Sequence, residues 1–406
     1  MYDVSEIRAE FPILSRTVYG KPLVYLDNGA SAQKPRQVIE AVTKAYEFEY
    51  ANVHRGLHYL SNLATDKFES VRQKMMKFLG AEHSNEIVFT SGSTEGLNLV
   101  SNGWASNNLK EGDEILLSIM EHHANIVPWY VLKKRNGIKL NWIELRQDGS
   151  LLADDIISKI GEKTKMIAIT HMSNVLGSIN DIKKICLAAK KLNVRVVVDG
   201  SQAAVHMPVN VTDLACDFYV VTGHKLYGPS GSGSVYINKN RLKEMHPFMV
   251  GGDMIKEVTT SNVIFNDPPH KFEAGTPSIV SIIGLGAALD FINQVGLANI
   301  ESYERSVKNY AEERLDELEW LNVQGNDINK GGIFSFVMDG PAHAHDLATV
   351  LDRTGIAVRA GQHCAQPLME YLGLNATCRA SFAMYNTCQE VDTLVEALKK
   401  CHKMFN

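Results

Sequence analysis

Short apolar runs that alternate with helical patterns constrain the fold of this chain more than any other feature. Five such runs are bounded by turn residues: Glu86–Thr90, Glu114–Ser118, Lys165–Thr170, Arg195–Asp199 and Phe218–Val221. Runs of this length predict buried strands. A helical pattern over Asp181–Leu192, with Asn180-Asp181 as its cap, lies between two of them. The alternation predicts an α/β fold with a mainly parallel, helix-covered sheet.

The 406 residues exceed one ordinary core and predict two or three domains. We expect a large domain over residues 21–266 that contains the sheet, and a connecting or interface segment over 267–278. After it come a helical region Ile279–Leu321, an apolar run Gly332–Met338, a helix His345–Thr354 and a last helix from Glu390. These elements, with residues 1–20, predict a smaller α+β domain. A cleft between two such domains is where we expect the site.

Charge and cysteine usage exclude several classes of function. A net charge of -5 provides no basic surface for a phosphate backbone, so nucleic-acid binding is not expected. No apolar run is long enough to span a bilayer, and the acidic N-terminus does not resemble a signal or transit peptide. The cysteines are dispersed, as reduced thiols are, which favours the cytoplasm or an equivalent reducing compartment. They are Cys186, Cys216, Cys364, Cys378, Cys388 and Cys401.

Two residues at neighbouring strand ends indicate the chemistry. Asp199 ends an apolar strand, and ligands of open α/β sheets bind beyond such ends. The next strand runs into Thr222-Gly-His-Lys225 and a glycine-rich turn over Gly228–Gly233, so Lys225 is expected near Asp199. A lysine for a Schiff base and a carboxylate for a pyridinium nitrogen are what pyridoxal phosphate (PLP) needs. Gln202 could donate to the phenolic oxygen of its ring. The alternative is a structural ion pair or a solvated turn lysine.

A phosphate site is predicted where the first strand ends. Ser91-Gly-Ser-Thr94 opens a helix that begins at about Glu95, and the free amides and dipole of a helix start favour an anion. Ser93 and Thr94 are the expected cradle, assisted by Thr222 and His224. An ordinary helix N-cap is the alternative.

Polar residues follow two further strands. Glu121-His122-His123-Ala-Asn125 follows one, and one of its histidines could stack on a ring; adjacent side chains point opposite ways, so at most one is expected to do so. Asn174 follows another strand, where its amide could reach the ring oxygen or a substrate carboxylate. A structural role is the alternative for a loop histidine. No tetrahedral ligand set is present, so no metal is predicted, and His343 and His345 are expected at a helix start.

Several segments in order carry a family resemblance that covers nearly the whole chain. They are Phe11–Leu14, Leu26–Ser31, Val53–His58, Glu121–Asn125, Asp199–Gln202, Gly223–Lys225, Phe272–Thr276 and Arg359–Ala365. The sequence resembles the class V PLP enzymes of fold type I, and specifically the SufS-type (group II) cysteine desulfurases.

The resemblance implies a role for each matched residue. Lys225 would carry the cofactor, Asp199 would pair with its ring nitrogen, Gln202 would bond its ring oxygen and His122 would stack over the ring. The phosphate would be held by Thr94, Thr222 and His224. Thr276 would reach the phosphate of a partner subunit, since members of the family are homodimers.

Cys364 and two arginines complete the expected site. Cys364 lies in a loop flanked by Arg359 and His363, whose positive charges would raise its thiolate fraction. A buried thiol, as expected for Cys186, is the alternative. Arg379 and Arg359 are expected to bind substrate, Arg379 by gripping its carboxylate bidentately; a structural salt bridge is the alternative for both. Gln362 replaces a second histidine of several relatives, which could alter thiol activation, and Thr222 replaces a serine of some.

The implied function is conversion of L-cysteine to L-alanine, with the sulfur held as a persulfide on Cys364. His122 would act as an acid-base group, and a SufE- or SufU-like acceptor would take the sulfur for iron-sulfur cluster assembly. The short loop before Cys364 is typical of group II. Selenocysteine lyase or cysteine sulfinate desulfinase is the nearest alternative and would not require Cys364. A non-catalytic scaffold would be expected to lack Lys225.

Overall fold

A seven-stranded sheet organises the larger part of the chain in the computed structural model, which describes residues 2–325 and 329–406. Its strands are β1 (Ile87–Thr90), β2 (Glu114–Ser118), β3 (Lys139–Ile143), β4 (Thr164–Thr170), β5 (Arg195–Asp199), β6 (Phe218–Thr222) and β7 (Gly233–Ile237). Their spatial order is β1-β7-β6-β5-β4-β2-β3. Only β7 runs antiparallel to its neighbours among these seven strands. The predicted mainly parallel sheet is confirmed.

The five predicted strands are all present, and two were not predicted. β2 and β5 have the predicted bounds, and β1, β4 and β6 differ by one residue at one end. β3 is an edge strand with only Ile143 buried, so its apolar signal is weak. β7 begins at Gly233, where a Cβ would lie 2.7 Å from the Gly92 Cα and 2.8 Å from the Val221 carbonyl oxygen. This close contact requires glycine at position 233. Because glycine is typical of turns, the sequence at the start of β7 resembles a turn.

The sheet is buried on both faces because successive side chains of a strand point in opposite directions. In β5, Val196 and Val198 pack into one core and Val197 packs into the other. All three are almost fully buried, and burial of each such side chain contributes about 1.5–3 kcal/mol. This is the packing of a helix-covered parallel sheet, and it fixes the strand ends from which the site is built.

A second, four-stranded antiparallel sheet lies in the C-terminal part. Its strands are β8 (Leu321–Gln324), β9 (Ile333–Met338), β10 (Arg359–Gly361) and β11 (Thr377–Ser381), in the order β8-β9-β11-β10. It has its own hydrophobic core, which Val24 and Leu26 join. Val24–Tyr25 pairs in parallel with Ile356–Ala357, so an N-terminal segment packs beside this sheet. The domain boundaries themselves stay a prediction.

The remaining elements are short strands and helices. The strands are Thr17–Val18, Lys21–Pro22, Val24–Tyr25, Ile255–Val258, Val263–Phe265 and Ile356–Ala357. The α-helices are Val4–Ala9, Arg36–Lys44, Tyr59–Leu79, Ser93–Leu99, Ser106–Asn108, Val127–Asn136, Ala153–Ser158, Ile182–Lys191, Ala203–His206, Val211–Leu214, Lys239–Leu242, Ile279–Val295, Leu297–Asp316, Ala344–Arg353, Gln366–Tyr371 and Cys388–Phe405. 3-10 turns cover Pro12–Ser15, Ser84–Glu86, His123–Asn125 and His270–Phe272, and π-helical stretches cover Ala45–Glu49 and Val100–Ala105.

Helix ends follow the local sequence closely. The Asp181 carboxylate caps its helix by accepting from the Lys184 amide at 3.0 Å, as predicted. The predicted helical region after residue 279 is two helices, which Gly296 separates with a φ of 88°. The last helix begins at Cys388 rather than Glu390, because Glu390 is the third residue of the helix and forms a capping box with the N-cap Thr387.

Within the described residues, no single helix is long and apolar enough to cross a bilayer. The pair Ile279–Val295 and Leu297–Asp316 meets the length and composition criteria only when the two helices are taken together, and they are bent by 74°.

Candidate active site

A cavity of about 360 Å³ lies beyond the carboxyl ends of the parallel strands and reaches the C-terminal sheet. Its walls contain twelve of the thirteen residues that the sequence indicated. They are Ser93, Thr94, His122, Asn174, Asp199, Gln202, Thr222, His224, Lys225, Arg359, Cys364 and Arg379. Thr276 is the exception: it is exposed and lies in a separate depression beside Ser91 and Glu95.

Asp199 presents a fixed carboxylate at the end of β5. Its Oδ1 accepts hydrogen bonds from the Ser201 amide at 3.0 Å and the Ser201 hydroxyl at 2.5 Å. The Ser201 hydroxyl also lies 2.5 Å from that of Ser93. No described residue donates to Oδ2, which leaves one carboxylate oxygen for a ligand cation. Gly200 makes this turn possible, since a Cβ there would lie 2.0 Å from the Tyr219 ring.

Lys225 lies on the tight turn after β6. The turn is closed by backbone bonds from Gly223 to the Ser232 carbonyl and from Gly228 to the Gly223 carbonyl, at 2.8 and 2.9 Å. Burial lowers the pKa of Lys225 to about 8, while Asp199 acts to raise it. Its amine has no hydrogen-bond partner in the described parts of the chain. The unprotonated fraction near neutral pH is therefore larger than that of an ordinary lysine, which favours a nucleophilic role.

The predicted anion site is formed at the start of a helix. The helix begins at Ser93, two residues before the predicted start, and its N-cap Gly92 offers no side chain to satisfy the first amides. Glu95 turns back to accept from the Ser91 amide and hydroxyl at 2.7 and 2.6 Å. Thr222 and His224 add a hydroxyl and an imidazole whose pKa is lowered to about 4 by burial and by Lys225. Free amides and neutral donors around a helix start suit a phosphate.

Of the two adjacent histidines, His122 faces the cavity. Its Nδ1 accepts from the Ala124 amide at 3.0 Å, so the neutral ring carries its proton on Nε2. Burial, with Lys225, lowers the pKa of His122 to about 4 and keeps it neutral. His123 is turned away, and its Nε2 accepts from the Gln366 amide at 3.1 Å.

A buried network lies directly behind His122, and sequence analysis did not identify it. Glu121 is fully buried and accepts from the Ser118 hydroxyl at 2.5 Å and the Asn125 amide at 2.7 Å. The Trp129 indole in turn donates to the Asn125 side chain at 3.1 Å. Burial raises the pKa of Glu121 to about 8, so this carboxyl is mostly neutral at pH 7 and adds little negative charge beside His122. The network anchors the loop that carries that ring.

Cys364 is held on a strained loop between β10 and the helix Gln366–Tyr371. His363 and Cys364 both adopt left-handed backbone conformations, with φ of 52° and 55°, which cost about 1–2 kcal/mol per residue. Two bonds across the cavity retain them: the His123 amide donates to the Cys364 carbonyl at 2.7 Å, and Asn174 donates to the His363 carbonyl at 2.9 Å. The Cys364 residue is exposed at the cavity mouth, unlike buried Cys186.

His363 was expected to be positively charged, and this prediction is wrong at neutral pH. Burial lowers the pKa of His363 to about 3, and the nearby Arg379 acts in the same direction. The ring instead bonds the Thr377 hydroxyl through Nε2 at 2.8 Å. The cations near the Cys364 thiol are Lys225, Arg359 and Arg379.

The two arginines share one carboxylate that sequence analysis missed. Arg359 binds Asp27 bidentately, with Nε–Oδ1 and Nη2–Oδ2 distances of 3.0 and 2.8 Å. Arg379 is only 2% exposed, donates to the Asn174 carbonyl at 2.7 Å and lies 3.4 Å from Asp27 Oδ1. The salt bridge that was the alternative for Arg359 is therefore present, while Arg379 keeps donors for a ligand.

Two side-chain amides are oriented by the backbone. Gln202 donates to the Gly29 carbonyl at 2.8 Å, and Asn174 donates to the loop before Cys364. Each has a second N–H that these bonds do not use, so both can still serve a ligand in the cavity.

Together these groups fit PLP. A buried amine with a pKa lowered to about 8 lies in one cavity with a carboxylate that has a free oxygen, a helix start with free amides, and a neutral imidazole. Arg379 lies on the far side of the cavity. Its buried Nε has no hydrogen-bond partner among the described residues, so it can bind a substrate carboxylate. The roles of the individual residues stay predictions.

One cluster outside the cavity has metal-ligand types. The ligand atoms of His54, Glu69 and His270 lie within 4.8 Å of one another. Both Glu69 oxygens, however, accept from Arg72, at 2.7 and 3.0 Å, and one also contacts His54 at 3.0 Å. The cluster is accounted for by this ion-pair network.

Comparison with known sequences gives one family and many full-length relatives. The model of the aminotransferase class-V family matches residues 24–394. A cysteine desulfurase of Escherichia coli (strain K12) is 48% identical over 405 residues, which are 100% of this chain and 99% of the relative. A cysteine desulfurase of Shigella sonnei (strain Ss046) is 48% identical over 404 residues, or 99% of each chain.

Solved structures agree in fold. The cysteine desulfurase CsdA from Escherichia coli, in an S-sulfonic acid form, superposes with a TM-score of 0.92, 37% identity and 100% of both chains covered. The apo cysteine desulfurase from Thermococcus onnurineus NA1 superposes with a TM-score of 0.93, 38% identity and 98% of both chains covered.

Proposed function

The chain belongs to the aminotransferase class-V family, and from this we propose that it is a PLP-dependent cysteine desulfurase. It converts L-cysteine to L-alanine and holds the sulfur as a persulfide on Cys364. The observation that carries this proposal is the exposed Cys364 thiol at the mouth of a cavity that also holds Lys225 and Asp199. That arrangement supplies an amine for the cofactor and a nucleophile for sulfur.

When bound, PLP supplies an electron sink that stabilises negative charge on the α-carbon of an amino acid. Lys225 would hold it covalently and Asp199 would face its ring nitrogen. Ser93, Thr94, Thr222 and His224 would hold its phosphate. His122 would cover one face of its ring, and Gln202 would donate to its ring oxygen.

The substrate is positioned by its carboxylate and its sulfur. The buried Arg379 guanidinium binds the α-carboxylate, and Asn174 lies beside it. This would place the α-proton within the cavity that contains Lys225. Once the amino group of the substrate has replaced Lys225 on the cofactor, the freed Lys225 amine would remove that proton. Binding the substrate carboxylate also excludes water from the buried arginine.

Cys364 then performs the sulfur step. Its thiolate attacks the substrate sulfur, so an S–S bond forms as the carbon–sulfur bond breaks. The β-carbon that is left takes a proton. The Nε2–H of His122 faces the cavity and can supply this proton. The products are L-alanine and the Cys364 persulfide.

We propose the SufS-type (group II) within this family. Four residues lie between Arg359 and Cys364, and the loop is held by bonds from His123 and Asn174. A loop this short cannot carry sulfur far. A SufE- or SufU-like acceptor that comes to the cavity is therefore the partner we propose, with iron-sulfur cluster assembly as the destination.

The remaining proposals concern assembly, compartment and substrate range. A homodimer would bring the exposed Thr276 of one subunit to the phosphate of its partner. The dispersed, unpaired cysteines support a cytoplasmic or equivalent reducing compartment. Selenocysteine is a second proposed substrate, since its lyase reaction does not require Cys364.

The direct test is product formation by the PLP-loaded protein. Incubation with L-cysteine and a reductant is expected to release L-alanine and sulfide in equal amounts, since the reductant discharges the persulfide. Without reductant or acceptor, alanine formation should stop after about one turnover per site, because one thiol holds one sulfur. Formation of pyruvate in place of alanine would contradict the proposal.

Cofactor loading is expected to depend on pH through Lys225. Only the unprotonated amine reacts with the aldehyde of PLP. With a pKa near 8, the loading rate of the apoprotein should rise from about pH 7 and level off above about pH 9, whereas an unperturbed lysine would give a rise beyond pH 10. Stopped-flow absorbance measures this rate.

Lys34 provides the control for that experiment. Burial also lowers its pKa to about 8, but its amine binds the carbonyls of Ala32 and His224 and does not line the cavity. Lys34→Ala should leave the midpoint of the profile in place. A midpoint that moves with Lys34 would show that the wrong lysine has been assigned.

A further inference from the structure

Asp27 stands between the two arginines of the cavity and is shared unequally. Arg359 forms the short bidentate contact with it, whereas Arg379 approaches only Oδ1, at 3.4 Å. Charge-assisted bonds of full strength are about 2.7–2.9 Å long. The Asp27 charge is therefore committed to Arg359, which is half-exposed, rather than to Arg379, which is buried.

Arg379 is consequently left with charge and donors that the protein does not satisfy. Its Nε is buried and has no hydrogen-bond partner among the described residues. Its Nη1 donates to a neutral acceptor, the Asn174 carbonyl. Burial lowers the pKa of Arg379 to about 10; Asp27 acts to raise it, and the like charge of Arg359 acts to lower it. A buried guanidinium in this state favours an incoming carboxylate.

The backbone keeps Asp27 beside Arg379 whatever Arg359 does. The Ser381 amide donates to the Leu26 carbonyl at 2.7 Å, which ties the Asp27 segment to β11. A Cβ on Gly29 would lie 3.3 Å from the Arg379 guanidinium, so the chain passes directly over that group. Without Arg359, the Asp27 carboxylate needs to move only about half an ångström to form a full ion pair with Arg379.

We propose that Arg359 is a positioning residue that holds the Asp27 carboxylate off Arg379, so that Arg379 stays available to the α-carboxylate of the amino acid. The inference rests on the proposed function, because it concerns the substrate of that reaction. It replaces the direct substrate contact expected for Arg359 with an indirect one. Asp27 is then a competitor of the substrate for the same guanidinium.

The test is a double-mutant cycle on ligand binding. The dissociation constant of L-alanine, the product, is measured from the absorbance change of the PLP-loaded protein, with no turnover required. Arg359→Ala is expected to weaken L-alanine binding about tenfold, within the range for coupled neighbours. Asp27→Asn should bind at least as tightly as wild type, and Arg359→Ala/Asp27→Asn should return to the wild-type value. Arg359→Lys, which keeps a charge for Asp27, should lie between.

Ethylamine provides the matched ligand, since it is alanine without the carboxylate. Its binding should be unchanged in all four variants if the effect acts through Arg379. Arg146→Ala, which removes an exposed bidentate pair with Asp155 on the surface, serves as the variant control and should match wild type.

Four outcomes would overturn the inference. Failure of Asp27→Asn to restore binding in the double variant would assign Arg359 a direct contact instead. An unchanged L-alanine constant in Arg359→Ala would remove any role in binding, and equal weakening of ethylamine would indicate a distorted cofactor site. If PLP-loaded wild type does not bind L-alanine at all, the proposed function fails, and the inference fails with it.

Discussion

Replacement of Lys225 by alanine is expected to abolish both the visible absorbance of the bound cofactor and the formation of alanine from cysteine. No other lysine lines the cavity within residues 2–325 and 329–406. The amine of Lys34, the nearby alternative, is bound by two carbonyl groups. The loss should be several orders of magnitude in rate, since one amine both holds the cofactor and moves the α-proton. Absorbance spectra and alanine assays on the purified variant measure it.

Two variants separate this effect from general damage to the site. Lys34→Ala should keep the absorbance band. Asp199→Ala should keep some bound cofactor but lose rate strongly, because a ring nitrogen without its carboxylate partner is a poor electron sink. If Lys225→Ala retains both absorbance and turnover, the assignment of the cofactor lysine is wrong.

Replacement of Cys364 by alanine is expected to have the second largest effect and a different signature. The variant should still bind PLP and cysteine, since Lys225, Asp199 and Arg379 remain. It should release alanine from cysteine at least about 100-fold more slowly, because no thiolate is left to take the sulfur. Activity on selenocysteine should persist, since selenium leaves without that thiol. Alanine release from each substrate is the measurement.

In the wild-type protein, the same role of Cys364 predicts a persulfide that can be detected directly. After exposure to cysteine, the peptide that contains Cys364 should gain the mass of one sulfur, which a reductant removes. Cys388→Ala removes the other exposed thiol and should behave as wild type. A persulfide on Cys378, Cys388 or Cys401, or a Cys364→Ala variant with full activity on cysteine, would favour a direct lyase reaction.

The fold was predictable because its signals are local. The apolar runs that became β2 and β5 carry their own boundaries, and the rule that ligands bind at strand ends leads from β5 to Asp199. The resemblance to class V PLP enzymes is confirmed, while the group II subtype stays a proposal. β7 escaped prediction because a close backbone contact at Gly233 imposes a residue typical of turns.

The parts of the site that were missed depend on distant residues. Asp27 contacts Arg359 across 332 positions of sequence, and no local pattern marks such a pair. The protonation of His363 and of Glu121 is set by burial, which a sequence does not display. Ser201 had a local signal, since a serine two residues after an aspartate often bonds its carboxylate.

The left-handed conformation of His363 and Cys364 also determines how sulfur can leave. The bonds from His123 and Asn174 fix the loop that carries the Cys364 thiol. An acceptor must therefore come to the thiol, because the loop cannot carry the thiol to the acceptor. Delivery is then a bimolecular encounter, whose rate scales with acceptor concentration until the acceptor saturates the site. The rate of sulfur transfer through this protein would be set by the abundance and affinity of its acceptor. Without an acceptor, the enzyme would remain in the persulfide form and would not turn over.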